Sequence, residues 1–269
     1  MDRAAFLERV HSAHNRVALW LHNNPNGGPC REDRIVYYFE LLNHFDLLRP
    51  GVRLVDLGGG LSWFAPIAFE LGLETVLIDD FGGGGGLEHQ SAQESRAILD
   101  RMRAKGIQIQ EVDFLSNPLP LPNESIDVVT CFHSLEHWHN SPKPLFAHLR
   151  RVIKLGGFLV LATPNAVNIR KRIAVALGKT NLSRLEEWYG EPIFRGHVRE
   201  PVIADLCKLL EWNQFAVREI SGRNFIGRSS ESLATYPRGL ANAIAVASQV
   251  FLRYLPSLCS DIHVVGQKQ

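Results

Sequence analysis

The sequence predicts an α/β fold: a doubly wound, mostly parallel sheet of seven strands, with helices before it and a helical lid inserted late. Three observations support this. From residue 51 onward, short β-prone runs alternate with helix-length segments, and such alternation requires crossovers and hence parallel pairing. The first run, "RLVDL", ends in an acid and opens directly into "GGG". Across 269 residues, 45% hydrophobic against 21% charged side chains suffices for one sizeable core.

Residues 1–50 read as a helical cap. Phe6, Val10, Val17, Trp20 and Leu21 follow helical spacing, and "RIVYYFELLNHFDLL" resumes after a turn at "NNPNGGP". Residues 51–269 form the main domain. Arg53–Leu57 is the first strand, and Ser62 is placed to cap a helix running to Leu71, with Gly72 just past its end. Thr75–Asp79 is the second strand, cut off by "FGGGGG", a run expected to be mobile and to order over a ligand. A polar helix over 88–105 precedes strand Ile107–Val112. Strand 126–132 follows the loop "SNPLPLPNES". Helix Pro144–Lys154 stops at Gly156-Gly157 before strand 158–164. A lid is expected over about 166–200, then helix Val202–Trp212, strand Phe215–Ser221, a helical segment over about 222–259 and a last strand, 261–268.

The balance of 29 Lys and Arg against 28 Asp and Glu, net +1, offers no electrostatic platform for DNA. Four widely spaced cysteines, Cys30, Cys131, Cys207 and Cys259, read as reduced thiols. Charges in "MDRAAFLERVHSAH" argue against an export signal, so a cytoplasmic location is expected. The apolar stretch 239–258 is interrupted by Asn242, Gln249, Arg253 and Pro256; it suits a helix packed on the core rather than a membrane span. A homodimer and contact with a membrane surface stay open.

The glycine turn lets a ligand approach backbone amides at a helix start. A dinucleotide fingerprint would need a further glycine after Gly58 and Gly60, and a phosphate loop would need a Lys-Ser/Thr pair; neither is present. Asp56 would repel a pyrophosphate and attract an ammonium, so the turn suits a nucleoside that carries positive charge. Asp79 and Asp80 end the second strand, where a ribose diol is usually held. Asp113 ends the third, followed by Phe114, a pair suited to an adenine amino group and ring face. A solvated turn for the acid pair and core packing for Phe114 are the plain alternatives.

In order and spacing, "VRLVDLGGG", "TVLIDD", "VDF", "LPLPNESIDVVTCFHSLEHW" and "LRRVIKLGGFLVLATPN" resemble the motifs of class I S-adenosylmethionine-dependent methyltransferases. They are most similar to the branch acting on quinones, sugars and natural products. The resemblance covers residues 50–165 well and continues weakly through "HVREPVIADLCKLLEWNQFAV". Ser62 stands where such enzymes often have another glycine, and Trp63 and Phe64 narrow the pocket behind it.

The resemblance implies that S-adenosylmethionine binds with its amino-acid end on Asp56, Gly58, Gly59 and Gly60. It places the ribose on Asp79 or Asp80, the adenine on Asp113 and Phe114, and the methionine portion over Cys131, Phe132 and His133. It implies methyl transfer to a small-molecule acceptor, most readily a hydroxyl. An RNA or protein acceptor and a non-catalytic cofactor-binding role are the alternatives; a nicotinamide dehydrogenase fits worst. Base candidates are His133, Glu136 and His137, which share one face if a helix begins after strand four, and His197 in the lid. Quinone O-methyltransferases resembling this chain carry two acids and a histidine at the positions of His133, Glu136 and His137, so a cation is conceivable. "LEH" also occurs in relatives without metal, and none is assigned. Trp188, Tyr189, Phe194, His197 and Arg199 are expected to wall the acceptor, while Arg170, Lys171 and Arg172 read as a solvated helix face.

Overall fold

The computed structural model describes residues 2–22, 32–82, 92–183, 185–190, 194–225 and 254–269. Gly83 to Gly86 of the five-glycine run, Cys30 and most of the expected helical segment 222–259 lie outside the described residues.

Eight α-helices and seven strands are described. In chain order they are α1 (Arg3–His22), α2 (Glu32–His44), β1 (Arg53–Leu57), α3 (Phe64–Glu70), β2 (Glu74–Asp79), α4 (Ala92–Lys105), β3 (Gln108–Glu111), β4 (Ile126–Phe132), α5 (Lys143–Val152), β5 (Ile153–Pro164), α6 (Ile169–Ala176), α7 (Leu185–Gly190), α8 (Ile203–Trp212), β6 (Phe215–Arg223) and β7 (Asp261–Lys268). The strands form one sheet in the order β3-β2-β1-β4-β5-β7-β6. Strand order reverses between β1 and β4, and in doubly wound sheets the crevice at that reversal is where ligands bind. No helix among the described residues is long and apolar enough to cross a membrane.

The chain divides into two compact units. The first comprises Met1–Ser134, His139–Leu159 and Lys268; the second comprises Leu135–Trp138, Val160–Gln267 and Gln269.

In the first unit, β1 pairs in parallel with both β2 and β4. Leu54, Val55, Leu57, Val128 and Val129 are buried, as expected of strands covered on both faces. Helix α1 buries Phe6, Val10, Ala13, Val17 and Leu21, and each large apolar side chain removed from water contributes about 1.5–3 kcal/mol. Arg16 and Trp20 both reach Glu70 (2.6 and 2.9 Å) at the end of α3, and Arg9 donates to Leu71 O at 2.7 Å.

Of the boundaries that differ from expectation, two have a clear local cause. Trp63 rather than Ser62 is the residue before α3, and it makes no side-chain cap; the Ser62 hydroxyl instead accepts from the Phe64 amide at 3.4 Å. Helix α5 ends at Val152, and β5 begins at Ile153, running through the two glycines instead of starting after them. Ile153 turns extended (φ −71°, ψ 134°), and the Asp127 carboxylate draws the new strand in by accepting from the Arg53 amide (2.8 Å) and Lys154 Nζ (2.6 Å). Gly157 is needed there because a Cβ would lie 2.9 Å from the Asp127 carbonyl and 2.8 Å from Ile153 Cγ2.

In the second unit, α8 buries Leu206 and Leu210, and Phe215, Ile262, Val264 and Val265 are buried on β6 and β7. Helices α6 and α7 fall in the stretch where a lid is expected, and they bury no residue.

Replacing Gly157 by Ala should cost about 1–3 kcal/mol, because backbone rather than a flexible side chain must yield. Gly190→Ala, which meets nothing within 4 Å, should stay within about 0.5 kcal/mol. Urea unfolding of both variants checks the contrast; equal midpoints would refute it.

Candidate functional site

The C-terminal ends of β1, β2 and β4 carry the chemistry of the first unit. Register sets Thr130 abreast of Asp56, and the Thr130 hydroxyl donates to Asp56 Oδ1 at 3.2 Å. Asp56 is 1% exposed, and its Oδ2 is buried without a hydrogen-bond partner among the described residues. Burial pushes the Asp56 carboxyl up to about 7; the Thr130 bond opposes this and the neighbouring Asp79 adds to it.

The glycines serve that carboxylate. A Cβ on Gly59 would lie 2.6 Å from Asp56 Cγ, and one on Gly58 would lie 2.7 Å from Ser134 Cβ. Gly58 and Gly60 also take positive φ, 71° and 56°, which side chains disfavour. The turn is thus bare where the carboxylate faces it.

Asp79 is the buried member of the acid pair, 9% exposed. Its Oδ2 accepts from the Gly60 amide at 2.9 Å and its Oδ1 from the Phe81 amide at 2.6 Å. Burial raises its pKa against the pull of those two amides. Asp80 is exposed and accepts from Gly82 N at 2.9 Å, so the plain turn role falls to it. Asp113 is exposed, and its Oδ1 caps the following loop through the Leu115 and Ser116 amides (3.1 and 3.3 Å). Phe114 is buried, and its Cζ would lie 3.4 Å from a Cβ on Gly58.

A cavity of about 380 Å³ joins Asp56 and Gly59 to Ser62, Trp63, Phe64, Phe132 and His133, with Arg34, Ile35 and Tyr38 from α2. Tyr38 stacks on Phe132 (centroids 4.0 Å, planes 20° apart) and Phe64 meets Phe132 edge-on at 5.0 Å. No motif in the sequence marks the α2 contribution; its one signal is the i, i+4 spacing of Arg34 and Tyr38, which puts both on one face. His133 holds φ +52°, a left-handed conformation that is uncommon outside glycine and clusters at functional sites.

These features fit the amino-acid end of S-adenosylmethionine. A buried carboxylate with one oxygen unengaged awaits a cationic partner, and the facing backbone is stripped of side chains. Asp79 retains a second lone pair on each oxygen, free to accept from further hydroxyls.

No helix begins after β4 to align His133, Glu136 and His137. The chain makes only a single 3-10 turn, Leu135–His137, because His133 in the left-handed region breaks the helical path. In the second unit Glu136 is fully buried and His137 half-buried. His137 Nδ1 lies 2.8 Å from Arg195 O. His197 Nδ1 lies 2.7 Å from Glu200 Oε1, and Lys171 pairs with the same carboxylate through Oε2. The Glu200 bond holds the His197 imidazole above its usual pKa despite partial burial. Burial pushes Glu200 up, but His197 and Lys171 outweigh it and leave the carboxyl below its usual range. Lys171 is therefore paired rather than part of a solvated face. Trp188 and Tyr189 are 61% and 83% exposed; Phe194 is half-buried and Arg199 exposed.

Adenosylhomocysteine should bind more weakly at about pH 6 than at about pH 7.5, since protonation of Asp56 below its raised pKa removes the charge that attracts the ammonium. Asp56→Asn should weaken binding and flatten the pH profile. Calorimetry checks both, and a flat wild-type profile would refute the pairing. Gly59→Ala should likewise lose affinity.

A model of the family described as "Methyltransferase domain" matches residues 30–220. A probable methyltransferase of Arabidopsis thaliana is 25% identical over 183 residues, 63% of this chain and 29% of that protein. A probable S-adenosylmethionine-dependent methyltransferase of Mycolicibacterium smegmatis is 32% identical over 104 residues, 39% of this chain and 34% of its own. The chain thus spans about a third of the length of these curated relatives. Among solved structures, an Archaeoglobus fulgidus SAM-dependent methyltransferase superposes with TM-score 0.52 at 18% identity, covering 89% of this chain and 95% of that one. The Haemonchus contortus phosphoethanolamine N-methyltransferase 2, solved with phosphomonomethylethanolamine and S-adenosylhomocysteine, gives 0.52 at 17%, covering 98% and 59%. These structures share the fold. With the sheet order, the bare glycine turn and the buried strand-end acids, the family match over most of the chain leads to one conclusion: the chain belongs to the methyltransferase-domain family, whose methyl donor is S-adenosylmethionine.

Proposed function

We propose that the protein transfers the methyl group of S-adenosylmethionine to a hydroxyl oxygen of a small-molecule acceptor, with His133 as the base. One observation carries the reading: His133 lines the same aromatic cavity as Asp56 and Gly59. This shared lining supports a base beside the amino-acid end of the cofactor.

When bound, the cofactor supplies a methyl already activated on a sulfonium. The protein's task is to align the acceptor and exclude water, and alignment can contribute about 7–11 kcal/mol. Asp56 and the Gly58–Gly60 backbone hold one end of the donor, and Asp79 holds its ribose. Tyr38, Phe64 and Phe132 give the cavity flat, dry walls suited to a ring-bearing acceptor. His133 takes the hydroxyl proton as the oxygen attacks, an effect of about two to four orders of magnitude. Its left-handed backbone at the tip of β4 aims the ring, and the surrounding fold holds that conformation at about 1–3 kcal/mol.

Incubating the protein with isotopically labelled cofactor and a metabolite extract identifies the acceptor. On that acceptor, His133→Gln should lower kcat about 10²- to 10⁴-fold, far more than it weakens adenosylhomocysteine binding; full turnover would exclude the base. Asp79→Ala should weaken adenosylhomocysteine binding strongly, and unaltered affinity would overturn the ribose assignment.

A further inference from the structure

We propose that Glu136, His137 and His197 form a binding site for a divalent transition-metal cation of the zinc class. One ligand atom from each of the three lies within 4.8 Å of the other two. The site lies wholly in the second unit and does not depend on the proposed acceptor.

The arrangement of the rings favours a cation over a chance meeting of polar groups. His137 Nδ1 sits 2.8 Å from a carbonyl, Arg195 O. That atom can only accept, so Nδ1 carries the proton and Nε2 keeps its lone pair. His197 Nδ1 sits 2.7 Å from the Glu200 carboxylate, itself held by Lys171, with the same consequence. Imidazoles that bind metal are oriented this way, one nitrogen tied to a carbonyl or carboxylate and the other left for the ion. The two rings meet at 4.9 Å with planes 81° apart.

The third ligand atom comes from the Glu136 carboxylate, which is 0% exposed and lies within reach of both rings. The Glu136 carbonyl accepts from the amides of Val198 and Arg199 (2.8 and 3.2 Å), so backbone bonds keep the His197 segment beside the turn that carries Glu136 and His137. Two imidazoles and one carboxylate are a donor set that suits zinc, cobalt or iron. Magnesium and calcium prefer oxygen alone. The set differs from the one the sequence suggested: His197 replaces His133 and comes from 60 residues downstream of His137.

The test uses the tag-free full chain after chelator treatment, titrated calorimetrically with Zn²⁺ and separately with Mg²⁺. One Zn²⁺ per chain and no Mg²⁺ heat are expected. His197→Ala and Glu136→Gln should each weaken Zn²⁺ by more than about 100-fold, and Glu200→Gln by about 10-fold through the loosened ring. Because a buried-site variant can unfold, Co²⁺ added to the wild type gives a second measurement: visible bands without a thiolate charge-transfer band would support the site. Absence of stoichiometric Zn²⁺ binding, a thiolate band, or folded variants that bind like wild type would overturn it.

Discussion

A carboxylate held dry at the end of the first parallel strand is the constraint on which the rest depends. Asp56 is buried between two neighbouring strands and steadied by Thr130, and its other oxygen faces a turn that tolerates no Cβ. In the free protein this is unfavourable. Between the ordinary carboxylate pKa and about 7, the unfolded chain ionises while the folded chain keeps its proton, so stability falls as pH rises through that range. A cationic partner reverses the balance by favouring the ionised form. The fold thus sets aside stability that a ligand with an ammonium group can recover.

The same edge of the sheet concentrates unusual backbone. Gly58 and Gly60 after β1, Phe81 after β2 and His133 after β4 all have positive φ. Each stops its strand sharply, so that side chains and amides at the strand ends turn into the crevice rather than continue the ladder. Asp79 links two of these turns by accepting from both Gly60 and Phe81, which makes the acid a brace for the loops as well as the proposed ribose ligand. Bracing and binding are compatible because each carboxylate oxygen accepts more than one hydrogen bond.

The chain leaves the first compact unit at Ser134 and enters the second at Leu135. His133 therefore belongs with the cavity that Asp56 lines, while Glu136, His137 and His197 form a cluster of their own. The left-handed residue between them and β4 separates two sets of side chains that a continuous helix would have merged. Each set has its own chemistry, an aromatic cavity in one unit and an imidazole–carboxylate group in the other.

By itself the sequence determined the sheet, its strand order class and the acids at the strand ends. Alternating β and helical runs, the acid before "GGG" and the last strand "DIHVVGQK" are local signals, and local propensity and pattern write them directly. Only the tertiary structure decided which acid of Asp79-Asp80 is buried, because one residue's difference in register reverses the side of the strand. Only it brought Arg34 and Tyr38 to Asp56 and His197 to His137, since those approaches close loops of tens of residues that no spacing rule encodes. The helix expected after β4 failed for the complementary reason: spacing at i, i+3 and i+4 is necessary for a shared face, but the left-handed backbone at His133 is imposed by the surrounding fold and leaves no mark in the residues themselves.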